Sequence, residues 1–158
     1  MTITIRPVVK EDYPAIVPIA CEIQELHANA HPDIFQHGVP GLPETYFLAH
    51  IDSETQIAYV AEVDGTIVGY LLIELRESKF LDMLIPRKIA HIRDIAVMQT
   101  YQKQGIGHLL FQQSIDWAKS KGVTSLELTV WEFNQNAIAF YKRQGMETLT
   151  RTMALPLE

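Results

Sequence analysis

QTYQKQGIGHLLF, residues 99–111, decides how the chain is read. Gly105 and Gly107 stand one residue apart between the apolar run IRDIAV, 92–97, and the helix-like HLLFQQSIDWAKS, 108–120. A strand, a short loop and a helix in that order leave the backbone N–H groups of the first helical turn unsatisfied. Glycine lets a ligand approach those amides closely, and the helix dipole behind them favours an anion. The segment is therefore either a phosphate cradle or a turn that needs glycine for its backbone angles. Two familiar phosphate patterns are excluded. A dinucleotide fingerprint requires G-x-G-x-x-G, but Leu110 stands three residues after Gly107; a nucleotide-hydrolase loop requires Gly-Lys-Ser or Gly-Lys-Thr, but His108 follows Gly107. What remains is Gln102-x-x-Gly105-x-Gly107 entering a helix.

Outward from this loop, strands and helices alternate. TITIR, 2–6, has strand periodicity, and Asp12 with Pro14 reads as a cap and a first-turn proline opening a helix through IVPIACEIQELHANA. HPDIFQHGVPGLP, 31–43, is too rich in Pro and Gly to continue it, and a short helix follows in PETYFLAHI. QIAYVAEV and TIVGYLLIEL flank Asp64-Gly65, a strong hairpin signal. RKIAHIRDIAV, SLELTVW and METLTRTMALPL read as further strands, with helices over 105–121 and 134–144 between them. No repeat or linker interrupts the pattern, so a single α/β domain over 1–158 with a mixed sheet is expected.

Composition agrees. A chain of 158 residues, 47% hydrophobic and 20% charged, can bury a sizeable core without cross-links. Cys21 is the only cysteine, which excludes an internal disulfide and fits a reducing cytoplasm. The first residues do not read as a signal peptide, and no apolar run is long enough to cross a bilayer, so a cytoplasmic protein without a membrane partner is expected. A net charge of −6 argues against a nucleic-acid-binding surface and would suit a cationic partner.

A second motif lies downstream. NQNAIAFYKRQGM supplies Asn134, Ala137, Phe140, Tyr141 and Gly145, with Tyr141 seven residues after Asn134. Together with Gln102, Gly105 and Gly107 it resembles the GNAT superfamily of acetyl-CoA-dependent N-acetyltransferases, whose hallmark is Q/R-x-x-G-x-G/A after a strand and whose later Asn and Tyr precede a Gly-Phe pair. Met146 stands where the family usually has Phe, an apolar exchange of little chemical consequence. The resemblance spans nearly the whole chain and implies a GNAT-like fold: a mixed, mostly antiparallel sheet of six to seven strands flanked by about four helices.

It also implies roles. Ile95, Ala96 and Val97 would lie where the strand parts from its neighbour and pairs with the pantetheine arm of acetyl-CoA, the amide of Ile95 polarising the thioester carbonyl. Lys103, Gln104, Gly105, Ile106, Gly107 and His108 would hold the pyrophosphate through their amides, behind Gln102; a solvated side chain is the plainer reading of Lys103. Asn134 would face the pantetheine arm or the acetyl group, or cap its helix, or both. Tyr141 would protonate the departing thiolate, although Ile138, Phe140 and Tyr141 also form an apolar stripe. In the ribosomal-protein acetyltransferase branch a Glu precedes the Asn by five residues; here Thr129 occupies that place and cannot act as a base. Asp94 is the leading substitute, on the same strand face as Ala96 unless a bulge changes the count, with Glu74 and Glu132 as rivals and a buried ion pair with Arg93 or Arg87 as the alternative.

No metal is expected: His27, His31 and His37 lack carboxylates or a cysteine arranged around them. Cys21 is expected to pack rather than react, and His91 is a potential proton relay. The acceptor would be an amine-bearing substrate, with Asp33, Glu44, Glu77 and Asp82 in the segments 31–43 and 77–88 available to draw in a cation. A homodimer is the family habit. Two other readings stay open on the residues: a non-catalytic acyl-CoA-binding module, and a phosphate-binding α/β domain unrelated to CoA.

Overall fold

The Asp64-Gly65 pair turns the chain as expected, with φ of 49° and 83° at its two residues, the positive angles a tight hairpin turn requires. The strands it joins, β2 (Gln56–Val63) and β3 (Thr66–Glu77), pair antiparallel. A computed structural model describes residues 1–78 and 80–157, so Lys79 and Glu158 lie outside the described residues. Around the hairpin stand β1 (Ile3–Pro7), α1 (Tyr13–Ala30), α2 (Glu44–Ala49), β4 (Lys88–Val97), α3 (Ile106–Ser120), β5 (Leu126–Leu128) and α4 (Gln135–Arg143). The sheet runs β1-β2-β3-β4-β5, antiparallel except for the parallel β4–β5 pair.

Period-two burial splits the strands between two cores. Tyr59, Ala61, Leu71, Ile73, Ala90 and Ile92 pack against Ile106, Leu110, Phe111 and Trp117 of α3. On the other face Ala58, Val60, Tyr70, Leu72 and Ala96 pack against Ile16, Ile19 and Ala20 of α1 and Phe47 of α2. Phe47, Ile16, Ile19, Leu71 and Leu110 are wholly excluded from water, each contributing about 1.5–3 kcal/mol relative to exposure. Asp12 behaves differently from its expected role. It precedes α1 but makes no side-chain cap there; its carboxylate accepts both Arg6 guanidinium nitrogens at 2.8 and 2.9 Å and the Val9 amide at 2.8 Å. A bidentate charged partner outcompetes neutral amides at the helix start, and the acid is held below the usual carboxylate range, chiefly by Arg6.

The sheet has five strands among the described residues, where six to seven were expected. Residues 146–157 form no strand, and β5 stops at Leu128 instead of running to Trp131. Alternating apolar residues specify an extended chain, but a ladder also needs a neighbour, and neither segment has one among the described residues. Leu149, Met153, Leu155 and Leu157 consequently stand 71%, 86%, 81% and 87% exposed.

Gly69 lets β3, β4 and α3 approach one another. A Cβ there would lie 2.9 Å from the Ala96 carbonyl oxygen and 3.2 Å from Leu110 Cδ1. Gly69→Ala is expected to cost about 1–3 kcal/mol in urea unfolding; a cost below about 0.5 kcal/mol would mean the layers separate freely there.

Candidate active site

The glycine loop leaves β4, makes a single 3-10 turn over Gln99–Tyr101 and enters α3. Gln102 Nε2 donates to the Val97 carbonyl at 3.1 Å, tying the loop back to its strand. Gly105, at φ 87°, is the N-cap of α3, and Lys103 shares the left-handed region at φ 62°. The first helical hydrogen bond runs from Leu109 to the Gly105 carbonyl at 3.1 Å. Among the described residues the amides from Lys103 to His108 donate to no backbone carbonyl, so a run of N–H groups is gathered at the positive end of a helix dipole, a geometry suited to a phosphate anion. The His108 side chain turns instead toward α4, its Nδ1 lying 2.8 Å from Gln144 Oε1.

Just upstream, β4 loses a neighbour. Ala90, His91 and Ile92 pair with Leu126, Glu127 and Leu128 of β5, but the ladder ends there, and the edge of β4 through Ile95, Ala96 and Val97 is unpaired on that side among the described residues. A bulge falls in the same place. Leu72 pairs with Asp94 and Ile73 with Ile92, so Arg93 is the inserted residue. Ala90 and Ile92 face α3, as do Ile95 and Val97, whereas Asp94 shares the α1 face with Ala96.

Asp94 takes no arginine. Arg87 pairs with Glu127 at 2.6 Å, and Arg93 lies 3.6 Å from Glu74 with its guanidinium 4.8 Å over the Tyr46 ring. The Asp94 partner is the Tyr70 hydroxyl, which donates to it at 2.6 Å. Burial pushes the Asp94 carboxyl above its ordinary range, against the pull of that hydroxyl, of His27, of the Ile95 amide and of Arg93. Burial likewise raises the Tyr70 phenol well above its usual value, with the Asp94 charge adding to it. The Tyr141 phenol is raised by the same causes in the same order. Both tyrosines therefore carry their protons at neutral pH. Of the rival carboxylates, Glu74 is held by Arg76 at 2.8 Å and by Arg93, and Glu132 is a surface group paired with Arg151 at 3.1 Å.

The second motif positions α4 by its ends. Asn134 Oδ1 accepts from the Ala137 amide at 3.2 Å, an N-cap. Gly145, at φ 98°, sends its amide to Lys142 O at 3.0 Å while Met146 sends its own to Tyr141 O at 3.1 Å, a Schellman ending. Met146 packs beside Phe140 and Tyr141 on the α3 core. Opposite them, His27 and His31 at the end of α1 meet Phe35, Trp131 and Phe133 in a ring cluster with centroids 5.0 to 5.6 Å apart. This cluster bridges the segment after α1 and the one leading into α4. The third histidine of that region, His37, is bound through Nδ1 to Glu25 at 2.7 Å.

Comparison with known proteins agrees with this geometry. Residues 21–146 match the model of the acetyltransferase (GNAT) family. The chain belongs to the GNAT family. It is 34% identical over 113 residues to an N-alpha-acetyltransferase of Sulfurisphaera tokodaii, covering 67% of this chain and 68% of that one. It is 30% identical over 148 residues to an uncharacterized N-acetyltransferase of Methanocaldococcus jannaschii, covering 92% of this chain and 61% of the relative's length. A crystal structure of a mutant Bacillus halodurans protein superposes with a TM-score of 0.93 at 32% identity, covering 98% of this chain and 99% of that one.

Tyr70 and the ring cluster were not anticipated from the sequence. A partial signal existed for Tyr70: the Asp64-Gly65 hairpin sets its place on β3 against β2, although its position opposite Ala96, on the face that Asp94 shares, comes only from the β3–β4 pairing. Phe35, Trp131 and Phe133 carry no such signal, because two separate loops bring them together.

Two measurements follow from this geometry. Gly105→Ala is expected to cost about 1 kcal/mol or more from backbone strain alone, since nothing lies within 4 Å of a Cβ there, whereas at Gly107 a Cβ meets only ordinary contacts at 3.5 Å and alanine should be nearly neutral. For Asp94, a raised native pKa means the folded state holds the proton more tightly than the unfolded state. The carboxyl thus favours folding below its unfolded value of about 3.9, and stability is lost as pH rises through the native value. Asp94→Asn should therefore gain thermal stability relative to the parent as pH rises above the unfolded carboxyl value of about 3.9; a constant difference would contradict the raised pKa.

Proposed function

We propose that the chain transfers an acetyl group from acetyl-CoA directly to a primary amine of a small molecule or a protein. The observation that carries this reading is the run of free amides from Lys103 to His108 at the N-terminus of α3, beside the open edge of β4. The amides match a pyrophosphate in charge and donor number, and the unpaired edge at Ile95–Val97 offers backbone groups to an extended, amide-bearing arm. Support also comes from relatives named as N-alpha-acetyltransferases, from a mouse relative named thialysine N-epsilon-acetyltransferase, and from an aminoglycoside N-acetyltransferase of the same fold solved with CoA.

Bound acetyl-CoA supplies an activated thioester. Lys103 through His108 hold its phosphates, with Gln102 tying the loop to β4 behind them, and Ile95, Ala96 and Val97 align its arm, with Asn134 at the near end of α4. The Ile95 amide donates to the carbonyl oxygen as negative charge builds there. That amide also lies beside the Asp94 carboxylate, so giving it to the carbonyl withdraws one stabilising contact and makes Asp94 a stronger base. Asp94 takes a proton from the amine, whose nitrogen forms the new C–N bond as the C–S bond breaks. Tyr141, kept protonated by burial, returns a proton to the sulfur.

Thiol release from acetyl-CoA in the presence of a panel of primary amines tests the reading. Tyr141→Phe and Asp94→Asn should each lower kcat by on the order of 10²- to 10⁴-fold, with Asp94→Asn also removing the acidic limb of the pH profile. Binding of CoA with no amine-dependent thiol release would point instead to a non-catalytic acyl-CoA-binding module. Equal competition by ADP and CoA would remove the pantetheine arm from the account.

A further inference from the structure

The segment between α1 and α2, residues 31–43, is fixed at both ends. At its start Ile34 and Phe35 send their amides to the His31 carbonyl, each at 3.0 Å. At its end Leu42 is buried, and its carbonyl accepts the Tyr13 hydroxyl at 2.8 Å. Between these anchors residues 36–40 are exposed and make no backbone–backbone hydrogen bond among the described residues. Two neighbouring side chains of α1 hold them instead. Gln24 Nε2 donates to the Gln36 carbonyl at 2.9 Å. Glu25 accepts the Gly38 amide on one oxygen at 2.6 Å and the His37 Nδ1–H on the other at 2.7 Å. These donors, Gly38 before His37, keep the Glu25 carboxyl below its ordinary range, as charge-assisted bonds to a carboxylate do.

The clasped residues follow directly on Phe35, whose ring lies 5.0 Å from His27 and 5.2 Å from Trp131 between centroids. His27 in turn lies 5.3 Å from Phe133, the residue before Asn134, and is near enough to Asp94 for its charge to act on that carboxyl. The His27 ring is itself fixed, its Nδ1 bound to the Ile23 carbonyl at 2.8 Å. Phe35 therefore stands one ring away from both the assigned base and the assigned arm contact. We propose that Glu25 is a positioning residue for the acceptor: by holding His37 and Gly38 it seats Phe35 in the ring cluster, and the seated cluster is a wall on which the apolar part of the acceptor amine rests. The role rests on the acetyl-transfer reading, since a reaction at Asp94 is what makes this wall an acceptor wall. It fits an amine bearing an aliphatic or aromatic group close to its nitrogen, because what the wall presents is ring surface.

Trp131 reports on the seat of Phe35. It is 37% exposed while Trp117 is 7% exposed in the α3 core, so quenching of tryptophan fluorescence by acrylamide reads chiefly Trp131. Glu25→Ala should release residues 36–38 without disturbing α1, alanine being the best helix former. The expected result is a Trp131 that quenches more readily than in the parent. It should be joined by a rise of about two- to tenfold in KM for the best-accepted amine of the panel, because ordering Phe35 and its neighbours then falls on the binding step. Both kcat and the KM for acetyl-CoA should stay at the parent values, whereas a general loss of folded protein would lower kcat instead. Glu25→Gln, which keeps one acceptor oxygen for each donor to share, should fall between Glu25→Ala and the parent. Unchanged quenching in Glu25→Ala overturns the clasp whatever the kinetics. Increased quenching with an unchanged amine KM overturns its role for the acceptor. If the parent releases no thiol with any amine, the acetyl-transfer reading falls and the acceptor role of Glu25 with it, and the quenching shows separately whether Glu25 seats Phe35.

Discussion

The antiparallel pairing of β3 with β4 is the interaction on which the rest of this molecule depends. It runs from Gly69 opposite Val97 to Glu77 opposite Lys88, and on its two sides the helical layers meet the sheet. Because β4 is secured along its length by β3, it can lose β5 after Ile92 without coming apart. The open edge beside the glycine loop is thus a by-product of asymmetric support: one neighbour holds the strand, and the other stops short. Gly69 keeps that support tight where α3 crosses, through a contact no larger side chain would allow.

The polar corner near the parting is built from burial more than from charge pairing. Arg93 and Arg76 are absorbed by Glu74, and Arg87 by Glu127, which leaves Asp94 to a neutral hydroxyl. A carboxylate held by a phenol and a backbone amide in partly desolvated surroundings holds its proton more readily than an exposed one. The same surroundings keep Tyr70 and Tyr141 protonated. Burial, with the Asp94 charge beside it, therefore gathers three titratable groups with raised pKa values in one region.

Much of this was legible in the sequence, and the legible parts share a cause. The hairpin at Asp64-Gly65, the glycine-dependent backbone angles at Gly105 and the N-cap of α4 at Asn134 are local: each is fixed by residues within a few positions of one another. The face occupied by Asp94 also came out as expected, even though a bulge intervenes. Non-local facts did not come through. Alternation in SLELTVW and METLTRTMALPL shows an extended chain but not whether a neighbour exists to pair with it. Asp12 looks like a cap until Arg6, brought in by β1, claims its carboxylate. The rings of Phe35 and Trp131 meet only once the whole fold is assembled.

The extra residue in β4 has a consequence for how such a chain can vary over generations. Before it, even-numbered residues fill the α3 core; after it, odd-numbered ones do. Loss of Arg93 would close the bulge and restore plain alternation, leaving Asp94 with Ala96 and Ile95 with Val97 on the faces they already hold. The strand can therefore shorten by one residue at this point without carrying any side chain across the sheet, a slack that its regularly paired stretches lack, because there a single loss turns every later residue over.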